Sequence, residues 1–194
     1  MKRSIVLWTS LSCCLASAVA YGDPGSLKAA KASTRQPLLP GQIVTFKNAK
    51  SRLCIGVEGG EMHNGALLKQ GRCTSAPDQK WRVDRRDPTD PDYVYLRNAK
   101  DDHLCMGVDR AQVVPGANIG VYDCHFGPGV SNQKWAVVPT TPISLLRIIN
   151  QKSSYHARDL YCVGVDRAKT TRAQLKQFRC DSRTNQSWHA IDRT

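Results

Sequence analysis

The chain has 194 residues and a formal net charge of +12, with 41% hydrophobic and 23% charged residues. Such a length admits one or two domains, and the composition is that of an ordinary globular chain. Beyond the N-terminal segment no stretch is apolar and long enough to cross a membrane, which excludes a multispan membrane protein.

Lys2 and Arg3 open the chain, Ile5 to Ala18 is an apolar run, and Ala18-Val19-Ala20 supplies a small-x-small cleavage word. This pattern predicts a signal peptide over 1–20 and a mature, secreted or periplasmic chain starting at Tyr21. Ala16-Ser17-Ala18 is a competing cleavage word. An uncleaved anchor, or a lipid on Cys13 or Cys14, is the rival reading, although the run is short for a span. Cleavage removes two of the 8 cysteines and two positive charges, leaving six cysteines and +12 − 2 = +10. Residues 21–40 carry Lys28, Lys31 and Arg35, with prolines at 24, 37 and 40 and no apolar period. They read as a flexible basic tail whose simplest role is a spacer.

Strand signals begin at residue 41. Ile43-Val44-Thr45-Phe46 is β-branched and aromatic. Leu53 to Val57 is a second short run, Met62 to Gly65 a turn, Ala66 to Cys73 a third run, and Lys80 to Val83 a fourth. The series then repeats. Gln79-Lys80-Trp81 returns as Gln133-Lys134-Trp135 and as Gln186-Ser187-Trp188, with Trp-to-Trp steps of 135 − 81 = 54 and 188 − 135 = 53. Two cysteines precede each word: Cys54 and Cys73, Cys105 and Cys124, Cys162 and Cys180. After each first cysteine comes x-Gly-Val-acid, ending in Glu58, Asp109 and Asp166. Each unit opens on an apolar residue followed by x-Asn-x-Lys, at Phe46, Leu96 and Ile148. The region 41–194 is therefore one module copied three times, over about 41–87, 92–139 and 143–194. Polar, Pro-broken connectors separate the copies, Asp87 to Asp92 and Val138 to Pro142.

One copy is too small to bury a sufficient core alone; three sharing one core suffice. Four short strands in each of three copies predict an all-β fold, a closed barrel capped by three hairpins, the β-trefoil. No helix of ordinary length fits. An even number of cysteines in an exported chain reads as a disulfide framework. The repeat selects the pairing in which each copy closes on itself: Cys54–Cys73, Cys105–Cys124 and Cys162–Cys180. Each loop stabilises by about 3 kcal/mol in the chain-entropy account. No Cys-x-x-Cys spacing suggests a metal site instead. In Gln-x-Trp the first and third residues share one strand face. Trp81, Trp135 and Trp188 are expected to fill the core. The amides of Gln79, Gln133 and Gln186 are expected to satisfy backbone groups nearby.

Three copies of Cys-x-x-Val, Cys and Gln-x-Trp resemble the ricin B-type β-trefoil lectins, over about Gln42 to Arg193. The resemblance implies non-catalytic binding of glycans in shallow pockets, one on each copy. A family pocket uses an aspartate two residues after the first cysteine, an aromatic two residues before the second, and an asparagine before the Gln-x-Trp glutamine. Here the aspartate is replaced by Gly56, Gly107 and Gly164. The aromatic position holds Gly71, Tyr122 and Phe178, and the asparagine position Asp78, Asn132 and Asn185. Copy one thus lacks a family-type site. In copies two and three an acid stands two residues beyond the glycine. On a continuing strand it faces the same way. Asp109 with Tyr122 and Asn132, and Asp166 with Phe178 and Asn185, are the expected carbohydrate-binding sets. The structural alternative pairs these acids with Arg110 and Arg167, or has them finish the turn after the strand.

No catalytic constellation, metal-ligand spacing or cofactor motif appears, so neither an enzyme nor a cofactor is expected. Asn185-Gln186-Ser187 matches a glycosylation acceptor by coincidence with Gln-x-Trp. Lys47, Lys50, Arg52, Lys69, Arg72, Lys80, Arg82, Arg85 and Arg86 concentrate positive charge in copy one. That charge suits a sulfated or phosphorylated glycan or an anionic surface, whose binding would weaken with salt. Nucleic acid is disfavoured, because no aromatic platform is interleaved with the basic residues. The second reading is an interaction or adhesion subunit whose partner is a toxin or an enzyme.

Overall fold

The computed structural model describes residues 38–140, 144–156 and 159–192. The expected signal peptide and all but the last three residues of the expected tail lie outside them. Leu38, within that tail, is buried against the core.

Twelve strands form the three copies. Copy one contains β1 (Ile43–Asn48), β2 (Cys54–Val57), β3 (Leu68–Gly71) and β4 (Trp81–Asp84). Copy two contains β5 (Tyr95–Asn98), β6 (Leu104–Val108), β7 (Ile119–Asp123) and β8 (Trp135–Pro139). Copy three contains β9 (Leu146–Asn150), β10 (Tyr161–Val165), β11 (Ala173–Arg179) and β12 (Trp188–Asp192). The one α-helix among the described residues, α1 (Gln151–His156), has 6 residues.

Six strands close a barrel. β1 pairs with β4, β4 with β5, β8 with β9, β9 with β12, and β12 with β1, all antiparallel. β5 and β8 meet through Val94 and Trp135, whose backbones exchange two hydrogen bonds of 2.9 Å. Closure leaves no exposed sheet edge in the barrel. The hairpins β2–β3, β6–β7 and β10–β11 cap one end and touch in a ring. β3 pairs with β11. Bridges Leu67–Gly120 and Asn118–Lys176 link β7 to the other two hairpins. The architecture is a β-trefoil.

Period-two burial follows from this geometry. Each copy sends equivalent side chains inward, and the sets Phe46, Leu96, Ile148 and Leu68, Ile119, Leu175 are fully buried. Trp81, Trp135 and Trp188 are the largest buried side chains. Trp135 Nε1 donates to the Met106 carbonyl at 2.9 Å and Trp188 Nε1 to that of Val163 at 3.1 Å. Disulfides Cys54–Cys73, Cys105–Cys124 and Cys162–Cys180 close the three copies.

Polar side chains do the joining. Each Gln-x-Trp glutamine holds the backbone on both sides of its copy's second cysteine. Gln79 donates to the Arg72 carbonyl at 2.9 Å and accepts from Thr74 N–H at 2.8 Å. Gln133 does the same with Asp123 and His125, and Gln186 with Arg179 and Asp181. The opening asparagines join copies. Asn98 Nδ2 donates to the Asp78 carbonyl at 2.9 Å, Asn150 Nδ2 to that of Asn132 at 3.0 Å, and Asn48 Nδ2 to that of Asn185 at 3.0 Å.

The connector between copies one and two, polar and Pro-broken in sequence, is folded onto copy two. Lys134, only 2% exposed, donates to Asp87 Oδ2 at 2.6 Å and Asp90 Oδ2 at 3.0 Å. Gln151 Nε2 donates to the same Asp90 oxygen. Burial alone would lower the Lys134 pKa, but the bonds to Asp87 and Asp90 reverse this and raise it. The bond from Lys134, and then the one from Thr89, hold the Asp87 carboxyl below its ordinary value of 3.8.

Two consequences can be measured. A carboxylate held below its unfolded pKa adds stability above that value and loses it as pH falls through the folded one. Melting temperature should therefore fall steeply below about pH 4, and Asp87→Asn should flatten that decline; an unchanged slope would show that the connector contact carries no acid sensitivity. Gln133→Ala strands the His125 N–H and the Asp123 carbonyl, and urea unfolding should show a loss of about 1–3 kcal/mol.

Candidate functional site

The candidate sites sit where each cap hairpin leaves its first strand. In copies two and three, β6 ends at Val108 and β10 at Val165. Asp109 and Asp166 do not extend those strands; each opens a three-residue 3-10 turn. The turns are completed by Arg110-Ala111 and Arg167-Ala168, all four at positive φ between 49° and 52°. The main-chain carbonyls of Asp109 and Asp166 accept from Gln112 and Lys169 N–H at 3.1 and 3.3 Å. The side chains pair with neither Arg110 nor Arg167. Tyr122 Oη donates to Asp109 Oδ1 at 3.2 Å, and Lys176 Nζ lies 3.5 Å from Asp166 Oδ1. Each acid thus opens the turn after its strand and meets a side chain of the facing strand.

In all three copies a Cβ at the family's aspartate position would press on the Gln-x-Trp glutamine, Gly56 on Gln79 Cγ at 2.9 Å. Tyr122 lies along the facing pair Gly107 and Gly120. A Cβ on Gly107 would meet Tyr122 Cδ2 and Gln133 Cγ at 3.1 Å each. In copy three a Cβ on Gly164 would meet Phe178 Cδ2 at 3.0 Å and Gln186 Cγ at 3.1 Å. A side chain at the glycine position in these copies would press on both the ring and the glutamine, and both would have to shift to admit it.

Tyr122 and Phe178 are both half-buried. Burial, and then the Asp109 carboxylate, hold the Tyr122 phenol above its ordinary pKa, so it remains a donor at neutral pH. Asn132 Nδ2 donates to the Val108 carbonyl at 3.4 Å and Asn185 Nδ2 to that of Val165 at 3.5 Å. Asn185 is only 6% exposed, so its main task is bracing β10 against the Gln-x-Trp turn, and it is closed to glycosylation. The structure brings Asp109, Tyr122 and Asn132 to one place, with Asn132 facing the backbone. Asp166, Phe178 and Asn185 are arranged alike.

Copy one differs. Gly71 stands where the others carry a ring, and Asp78 reaches toward Gly56. A cavity of about 220 Å³ opens there, lined by Gly56, Glu58, Gly71, Asp78 and Gln79 among others. A search for binding side chains overlooks this cavity, because absent side chains make it. The signal available in sequence was the pair Gly56 and Gly71, the only copy with glycine at both positions. Elsewhere a buried hydroxyl braces the backbone. Ser153 Oγ donates to the Asn150 carbonyl at 2.7 Å and accepts from Tyr161 N–H at 3.0 Å. Among the described residues no group of His, Cys, Asp or Glu could hold a metal ion. None of their helices is long and apolar enough to cross a membrane.

Residues 37–122 match the model of the family described as ricin-type beta-trefoil lectin domain-like. No curated protein sequence gives a significant match. The designed threefold-symmetric protein ThreeFoil superposes with a TM-score of 0.68 at 20% identity, over 78% of this chain and 99% of that one. The ricin B-like lectin of Macrolepiota procera, solved with lactose, gives 0.63 at 15% identity, over 79% and 96%. An exo-beta-1,3-galactanase from Clostridium thermocellum gives 0.68 at 18% identity, over 78% of this chain and 30% of that one. These identities speak to fold alone. By sequence over 37–122 and by fold over more than three quarters of its length, the chain resembles the ricin B-type β-trefoil lectins.

Proposed function

We propose that this protein is a secreted, non-catalytic carbohydrate-binding protein that recognises glycans on copies two and three. Carbohydrate binding in general is supported by the family match and by the lectin relatives, one of which is bound to lactose. The three disulfides are of a kind that persists in oxidising surroundings outside the cytosol.

The observation that carries the assignment to copies two and three is the placement of Tyr122 and Phe178. Both rings are half-buried over a glycine of the facing strand, and Tyr122 also meets the carboxylate of Asp109. A sugar offers an apolar C–H face and hydroxyls that both donate and accept. A ring takes the face, and a few placed polar groups take the hydroxyls. Asp109 Oδ1 already accepts from Tyr122, which orients the carboxylate and leaves it further acceptor capacity for a sugar hydroxyl. In copy three Phe178 has no hydroxyl, and Lys176 takes the place of the donor to Asp166.

A second reading is an interaction or targeting module that delivers a catalytic or toxic partner. It is favoured by one fact: the same fold makes up 30% of the C. thermocellum galactanase, so trefoils of this kind occur as parts of larger proteins.

Glycan-array binding at low and high salt separates these readings. Neutral-glycan binding should survive high salt, and Tyr122→Ala or Phe178→Ala should each weaken it by about tenfold, or about 1.4 kcal/mol. Asp109→Ala combined with Asp166→Ala should weaken it further; equal affinity in that double variant would remove the acids from the site. Absence of neutral-glycan binding at either salt would overturn the lectin reading in favour of the module.

A further inference from the structure

The cavity over Gly56 does not end in copy one. It shares Glu58, Gly59, Lys69 and Arg172 with a second cavity of about 460 Å³ whose other walls include Lys169 and Gln174. The two form one cleft, with walls from copies one and three.

Copy three contributes the segment 169–172, and Gln70 of copy one holds it in place. Gln70 is fully buried. Its Nε2 donates to the Lys169 carbonyl at 3.0 Å and the Thr171 carbonyl at 2.5 Å, while its Oε1 accepts from Ser51 Oγ at 2.6 Å. Gln177 makes the same grip on copy two, donating to the carbonyls of Gln112 and Val114 at 2.9 and 3.0 Å. That junction presents a neutral amide and an exposed valine. The equivalent contact between copies one and three presents Lys169 and Arg172.

The charges at this junction do not cancel. Glu58 lines the cleft and is paired with Lys69. Among the described residues, Lys169 and Arg172 are exposed and have no carboxylate partner. Gln174 lines the same cavity, with its Nε2 buried. Two exposed cations thus line one wall. The adjoining part over Gly56 and Gly71 is neutral and polar except for Asp78, with Gln79 and Thr74 beside it. It is wide where the other copies carry a ring.

We propose that this cleft binds an anionic saccharide. The sugar ring occupies the space over Gly56 and Gly71, with Asp78 accepting from its hydroxyls, and its carboxylate or sulfate lies between Lys169 and Arg172. An arginine suits either group, since its planar fork matches a carboxylate or a sulfate oxygen pair. The site differs from those at Tyr122 and Phe178 in its residues, in spanning two copies, and in the charge of its ligand. It rests on the carbohydrate-binding reading above only in expecting a sugar to carry the anion.

Calorimetric titration of the full chain with four probes tests this: a uronic-acid disaccharide, a sulfated disaccharide, lactose and inorganic sulfate. At least one anionic disaccharide should bind, more weakly as salt rises. Lys169→Ala combined with Arg172→Ala should weaken it at least tenfold and leave lactose binding unchanged. Binding of the uronate alone identifies a carboxylate ligand, and of the sulfated sugar alone a sulfate ester. Gly71→Phe supplies a second test that spares the cations. A Cβ there meets only Gln79 Nε2, at 3.8 Å, and the added ring should block both disaccharides. Equal affinity in the double variant, no binding of either anionic sugar, or inorganic sulfate binding as tightly as the sulfated sugar overturns the proposal. Loss of lactose binding alone would strike the sites at Tyr122 and Phe178 and leave this one standing.

Discussion

A glutamine amide gripping the backbone on both sides of a disulfide cysteine is the contact on which the three copies depend. The second cysteine lies where its strand ends, and the carbonyl before it and the N–H after it are the groups the glutamine takes up. An unpaired backbone group out of water costs about as much as a lost hydrogen bond. The glutamine supplies one donor and one acceptor at the right spacing, and its tryptophan, two residues on, anchors the same strand in the core. Disulfide, amide and indole thus fix one corner of each copy. Everything nearer the surface, including the rings of Tyr122 and Phe178, is placed relative to that corner.

Contacts between copies use the same chemistry. The opening asparagines hold the adjacent Gln-x-Trp turn, and Gln70 and Gln177 hold the neighbouring loop. These amides are buried and directional, and each donates to a backbone carbonyl of another copy, so they set register as well as stability. Hydrophobic burial supplies the driving force, but it is non-directional. It would tolerate small rotations of one copy against another that the amides do not.

The fold was legible in the sequence because it is written three times. Period, cysteine spacing and Gln-x-Trp together prescribe twelve short strands around shared tryptophans. The connector misled: Asp87 and Asp90 read as polar linker residues, yet they bury Lys134, which only the folded chain brings beside them. Sites were less legible. Asp109 was reached by extending a strand, whereas the strand stops at Val108 and the aspartate opens a turn. Its meeting with Tyr122 arises because strand pairing sets Tyr122 opposite Cys105 and the ring leans over two glycines. The cleft between copies one and three was hidden, since no local pattern records that residues 69 and 174 face each other.

The turns after the first cap strands also differ in stored strain. Copies two and three place Arg-Ala in the left-handed region, where a non-glycine residue is disfavoured by about 1–2 kcal/mol; copy one places Gly59 and Gly60 there, at φ of 68° and 71°. The first two turns are sterically uncomfortable but have few alternatives, so their neighbours lock them. The glycine turn is relaxed and has many alternatives, and glycine loses the most conformational freedom when fixed. One scaffold therefore carries two entropic regimes: stiff rims beside Tyr122 and Phe178, already shaped before any ligand arrives, and a pliant rim in copy one, whose ordering would set part of the cost of closing around anything held there.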